Sequence, residues 1–277
     1  MGIYVPAEEL REEIRTGKKL TVLAALWDPR PGRAYMRFKS HHIPTAQFCD
    51  PASTLAGMPG SEEGRNPLPT QEQVQKAVNQ WGIERDRPVV IYDDGRGFFS
   101  ARAWWILMWA GITDIRILNG GFPYWWDQGL ETVAGPGPIT VHSETPVEIG
   151  QLPTMEIDQV KQYKGMLIDA RGSRRFSGKK EHLDLKAGHI PGAVNIPGQS
   201  CFDEHRRILP VDDILENLAK SGITQHTDPS QAVVYSGSGN HSAMLLAAMH
   251  HAGLPILTHF IGGWSQWSAD HANDIEI

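Results

Sequence analysis

Short apolar runs rich in β-branched residues recur along the chain, each followed by a longer stretch with apolar residues at helical spacing. In the first half, LTVLAAL (20–26) predicts a buried strand. A Gly-, Pro- and Ser-rich excursion runs from Pro51 to Pro69, and Thr70 is placed to cap a helix that reaches Trp81. Next come VVIY (89–92) as a strand, a helix from about Phe99 to Ala110, the strand DIRIL, and a Trp-rich helix after Gly120-Gly121. The second half repeats this order: MLIDA, a loop, VDDILENLAKSG as a helix, AVVY, a helix from about His241 to Ala252, ILTHF, and a closing helix. Such alternation predicts an α/β architecture of mostly parallel strands with right-handed crossovers and flanking helices.

The repetition extends to individual residues. Tyr92 in VVIYDDG pairs with Tyr235 in AVVYSGS at an offset of 143, and Gly120-Gly121 with Trp125 pairs with Gly262-Gly263 and Trp267 at 142. His42-Ile43-Pro44 matches His189-Ile190-Pro191, and Asp28-x-Arg30 matches Asp169-x-Arg171. Ordered landmarks with nearly constant spacing mark a tandem duplication. The Pro- and Gly-rich join ETVAGPGPITVHSETPVEIGQLP reads as a linker, which sets the expected domains at 1–145 and 146–277.

Composition removes several classes of function. A net charge of −6, with dispersed basic residues, gives no reason to expect nucleic acid or an acidic membrane as partner. There is no run of about 18 apolar residues, and the charged N-terminal stretch lacks the apolar core of a secretory signal, so a cytoplasmic protein is expected. Two cysteines, Cys49 and Cys201, cannot make a disulfide framework; both read as small buried hydrophobes.

In an open parallel sheet, ligands gather beyond the carboxyl ends of the strands. There the second half carries Ser236-Gly237-Ser238-Gly239-Asn240-His241-Ser242, a small-residue loop running into a helix. Its amides and helix N-terminus suit an anion or a thiolate, although a short Gly motif is equally a plain turn. Nothing obvious nearby would activate a serine. The first half instead carries Asp93-Asp94-Gly95-Arg96-Gly97, whose carboxylates would repel an anion; they read as a solvated loop or a helix cap rather than a metal site. One suited loop and one retired loop is the expectation, with no metal or cofactor.

Taken together, HIPTAQF, SARAWW and LNGGFPYW in the first half, with IDARGSRRF, GHIPGAVNIP, SGSG and GGWSQW in the second, resemble the tandem rhodanese-like sulfurtransferases. The resemblance is greatest to the 3-mercaptopyruvate and thiosulfate branch. It implies a non-catalytic first domain and a second domain whose loop cysteine takes a sulfane sulfur as a persulfide. The sulfur then passes to a thiol or cyanide, with a protein thiol such as thioredoxin among the acceptors. It also implies that Arg175 binds the substrate carboxylate, that Ser238 orients substrate or shuttles its proton, and that Gly237, Gly239, Asn240, His241 and Ser242 line the site.

Ser236 stands at the cysteine position. A hydroxyl has no thiolate form at neutral pH and no stable persulfide analogue, so sulfur transfer through residue 236 is expected to fail in this chain. Ser236 is then either a deliberate Cys→Ser replacement or the mark of a natural binding or regulatory protein built on the same fold. The near-neutral loop favours 3-mercaptopyruvate over thiosulfate, with His241 offering positive charge at lower pH. The basic stretch Lys179, Lys180, His182 and Lys186 is the candidate for a second carboxylate contact, since the family's second arginine has no clear counterpart. A Cys-x5-Arg phosphatase is disfavoured by Ser242, and a Gly-x-Ser-x-Gly hydrolase by the frame of the loop.

Overall fold

A computed structural model describes residues 2–277. The six predicted apolar runs form strands, and three further strands that the apolar pattern did not predict, Tyr4–Val5, Ala46–Cys49 and Val194–Asn195, join them; all are numbered in chain order. These are β1 (Tyr4–Val5), β2 (Thr21–Ala25), β3 (Ala46–Cys49), β4 (Val89–Tyr92), β5 (Ile115–Leu118), β6 (Met166–Asp169), β7 (Val194–Asn195), β8 (Ala232–Tyr235) and β9 (Thr258–Phe260). The first sheet has the order β1-β5-β4-β2-β3 and the second β7-β6-β8-β9, and every pairing is parallel. Strands β2, β4 and β8 are buried along their whole length, which is why they read as continuous apolar runs rather than alternating ones.

Helix Gln71–Trp81 starts where Thr70 accepts from the Gln73 amide while the Gln73 side chain bonds back, a capping box. Helices Phe98–Trp109 and Asn240–His251 follow the two loops, each entered through a left-handed glycine, Gly97 (φ 78°) and Gly239 (φ 83°). Both helices are buried nearly all round. Sequence periodicity did not signal the helices Ala7–Arg15, Arg33–Ser40 and Ile157–Gln162.

The chain divides into two compact units, and the division departs from a single cut near residue 145. The first unit continues to Gln151, because Glu148 and Gln151 donate backbone hydrogen bonds to the Ala110 and Trp109 carbonyls. The units also exchange segments: Ala56–Leu68 belongs to the second unit and Glu204–Ile208 to the first. Much of the Pro51–Pro69 excursion is therefore structure of the other unit.

The repeated His-Ile-Pro segments do the same work in each unit. His42 Nδ1 lies 2.9 Å from the Phe38 carbonyl and stacks on the Phe38 ring; His189 Nδ1 lies 2.9 Å from the Phe176 carbonyl and stacks on Phe176. The next residue's amide donates to a buried tyrosine hydroxyl, Ile43 to Tyr92 and Ile190 to Tyr235. Through those isoleucine amides the two segments hold the last residue of each strand that carries a loop.

Candidate active site

Residue 236 follows β8 directly, so the sheet delivers the loop as the strand ends. Two downstream backbone bonds clamp it: Trp264 N–H to the Ser236 carbonyl at 2.7 Å and Ser265 N–H to the Gly237 carbonyl at 2.8 Å. That clamp accounts for the second glycine of each pair. A Cβ on Gly263, whose φ is +56°, would collide with the Ser236 carbonyl oxygen, as one on Gly121 would come to 2.9 Å from the Asp93 carbonyl.

Above the loop sit two guanidinium groups. A Cβ placed on Gly237 would lie 3.0 Å from Arg65 Nη2 and 3.1 Å from Arg175 Nη1, so glycine is what lets both cations reach the backbone. Arg175 lies beside the loop and is also engaged elsewhere. Its Nη2 donates at 2.8 Å to both Glu181 and Asp184. Arg65 forms a close ion pair with Asp184, and Arg171 pairs with Asp169 at 2.6 Å in a fully buried position. Burial and then Arg175 lower the Arg65 pKa to about 10, which leaves it protonated at neutral pH. Burial works to raise Glu181, but the Leu183 amide and Arg175 outweigh it and hold its carboxyl below the ordinary range. Three guanidinium groups are thus matched by three carboxylates, and the cluster presents N–H donors without an excess of charge.

Arg65 and Asn66 were not singled out by sequence reasoning. Asn66 Nδ2 donates to Ser238 Oγ at 2.8 Å, and the Arg65 amide donates to Ser265 Oγ at 3.1 Å. Both residues come from the exchanged segment, more than 170 positions before their partners. Within the basic stretch, Lys186 Nζ is spent on the carbonyls of Asp270, His271 and Asn273.

Two further expectations change. His241 does not supply positive charge at mildly acidic pH, because burial and then Arg175 push its pKa down to about 4. Ser236 does have a polar partner behind it. Its Oγ lies 3.1 Å from Ser242 Oγ, which lies 2.6 Å from His259 Nε2, and all three residues are fully buried.

Of the two readings of the first unit's loop, solvated turn or helix cap, the cap holds: Asp93 accepts from the first-turn amides of helix Phe98–Trp109. Asp93 is buried, and its carboxylate accepts from the amides of Gly95, Gly97, Phe99 and Ser100 and from Ser100 Oγ. Burial and then Asp94 raise its pKa, against the pull of those amides. Asp94 is paired with Arg96 at 2.7 Å. The ring of amides after β4 therefore holds an anion, and the anion is its own.

Comparison with known proteins gives the same duplication an independent form. The rhodanese-like domain matches twice, over residues 6–128 and 155–270. The chain belongs to the rhodanese-like family. Among its relatives, a putative thiosulfate sulfurtransferase, SseB, of Mycobacterium tuberculosis is 34% identical over 273 residues, covering 97% of this chain and 94% of the relative. A probable 3-mercaptopyruvate sulfurtransferase of Pseudomonas aeruginosa is 34% identical over 253 residues, covering 89% and 87%. The crystal structure of SseA from Escherichia coli, described as a 3-mercaptopyruvate sulfotransferase with the rhodanese fold, superposes with a TM-score of 0.80 at 25% identity. It covers 96% of this chain and all of the other.

Within this rhodanese-like pair, neither cysteine is available as a thiolate. Cys49 is fully buried with its pKa raised by burial, and burial pushes Cys201 up to about 11. Among the described residues, no cluster of His, Cys, Asp or Glu is arranged to hold a metal ion, and no helix is long and apolar enough to cross a membrane.

Proposed function

We propose that this chain is built as a sulfurtransferase of the 3-mercaptopyruvate type whose sulfur-carrying position is residue 236, and that Ser236 leaves the chain as it stands unable to carry sulfur. The observation that supports this reading is the contrast between the two loops. The first ring of amides is closed by the Asp93 carboxylate, whereas the second has only a hydroxymethyl group at the matching position. A ring whose amides converge on a carboxylate has the donors to receive a thiolate or a persulfide anion.

With a thiol at 236, the thiolate would attack the sulfur of 3-mercaptopyruvate. The C–S bond breaks, the carbon takes a proton to give pyruvate, and the protein keeps the sulfur as a persulfide. An acceptor thiol, or cyanide, then takes the outer sulfur and restores the thiolate. Arg175 and Arg65 face the loop and would hold the substrate carboxylate, with Ser238, steadied by Asn66, beside the reacting sulfur. The charge-matched guanidinium cluster favours a monoanion over dianionic thiosulfate.

The test is Ser236→Cys. Sulfur transfer from 3-mercaptopyruvate to a small thiol should rise by orders of magnitude from a background near zero. A variant inert to both mercaptopyruvate and thiosulfate would sink the reading and favour a binding or regulatory protein on the same fold.

A further inference from the structure

We propose that His259, acting through Ser242, is the proton acceptor for residue 236. The inference rests on the reading of residue 236 as the nucleophile's position, and it adds a group from β9 that the loop sequence does not contain.

Three elements converge to make the chain of contacts. Ser236 leaves β8, Ser242 lies in the first turn of helix Asn240–His251, and His259 is the middle residue of β9. The distances are 3.1 Å from Ser236 Oγ to Ser242 Oγ and 2.6 Å from Ser242 Oγ to His259 Nε2. Both are within hydrogen-bond reach, and no part of the path is exposed. His259 is fixed by its backbone, donating to the Pro153 carbonyl and accepting from the Met155 amide.

The first unit supplies an internal control. Counting back 142 positions from the second helix, Ser242 corresponds to Ser100 and His259 to Ile117. Ser100 is kept and also points at its loop, 3.3 Å from the Asp93 carboxylate, but its other partner is the Gly97 carbonyl. Where the loop residue is a carboxylate, the strand carries isoleucine. Where the loop residue bears a hydroxyl, the strand carries histidine. A serine that merely capped the helix would need no imidazole behind it.

The proton path follows from the donors. Residue 236 donates to Ser242 Oγ, and Ser242 donates to His259 Nε2, which requires the tautomer protonated at Nδ1. As residue 236 attacks, its proton passes to Ser242 while the Ser242 proton passes to Nε2. The result is an anion at 236 and an imidazolium at 259, with no change in total charge. Arg65 and Arg175 face the anion from above Gly237, and the Asp169–Arg171 pair lies on the neighbouring strand β6.

The experiment uses the full chain with Ser236→Cys and follows ionisation of the introduced thiol by the ultraviolet absorbance of its thiolate across about pH 5–10, with the parent chain, whose Cys49 and Cys201 are held protonated by burial, as the baseline. Adding Ser242→Ala or His259→Gln should move that titration upward by about one pH unit, a tenfold loss of thiolate on its rising limb. Coincident profiles for both variants would overturn the relay, as would a shift for Ser242→Ala with none for His259→Gln. If His259→Gln does not fold, His259→Asn takes its place. The titration needs no sulfur donor, so the two readings separate. A shifted profile in a protein inert to mercaptopyruvate keeps the relay and removes the sulfurtransferase, and turnover with unshifted profiles does the reverse.

Discussion

The loops after β4 and β8 begin from one design and end with opposite contents. Each follows a fully buried strand, each is clamped by the amides after a Gly-Gly pair, and each enters its helix through a left-handed glycine. In the first, Asp93 folds its carboxylate into the ring of amides; in the second, Ser236 stops short of it and rests on Ser242. The lesson is that one loop design can either enclose a side chain of its own as a permanent internal ligand or leave that position to a small hydroxyl group.

The largest expected effect tests how differently the two units use the shared Asp-x-Arg motif. Arg171 is fully buried against Asp169 and lies over the Trp264 ring, while Arg30 pairs with Asp28 at the surface. Arg171→Ala should cost about 4 kcal/mol in chemical denaturation, since it strands a buried carboxylate. Arg30→Ala should leave the midpoint unchanged. Equal effects would remove the distinction between the units.

Next comes the internal ligand itself. Asp93→Ala leaves buried amides without their acceptor and should cost about 3 kcal/mol. Added formate should restore part of the melting temperature in this variant and not in the parent chain. Absence of any rescue would mean that the first ring is no longer an anion site.

His241 provides a pH-dependent contrast, because the matching residue in the first unit is Phe99. Its folded pKa of about 4 lies below the ordinary value of 6.5, so the unfolded chain binds the proton more readily. Its contribution to stability is complete above about pH 6.5 and is lost as the pH falls towards 4, about 3 kcal/mol in all. His241→Phe should remove that part of the acid sensitivity, read as a flatter plot of unfolding free energy against pH.

The smallest effect is the reciprocal exchange. Ser236→Asp gives the second ring its own carboxylate and should stabilise the fold by about 1 kcal/mol. A destabilised variant would mean that the two rings differ in shape as well as in content.

Much of this was legible in the sequence because it is local and repeated. Two matching copies expose the landmarks, and buried parallel strands announce themselves as apolar runs. The amide loop was found for the same reason. What escaped detection depends on distance or on burial. Arg65 and Asn66 sit in a Gly- and Pro-rich excursion that looks like solvent-exposed loop, and only the folded chain brings them to residues 237 and 238. Asp93 was legible as a helix cap but not as a buried one, because charge suggests surface, and here a ring of amides substitutes for water. His259 passes for an ordinary strand residue in ILTHF. Comparison with DIRIL held the available signal: a polar residue where the other copy has Ile117.

The exchanged segment Ala56–Leu68 also has a consequence in time. During synthesis Asn66 is made early, but its partner Ser238 follows 172 residues later. At ordinary rates of translation that interval is on the order of ten to thirty seconds. Throughout it, residues 56–68 have no second unit to fold on. The site can assemble only when nearly the whole chain has been made, so a nascent or truncated first half carries Arg65 and Asn66 but not the loop they serve.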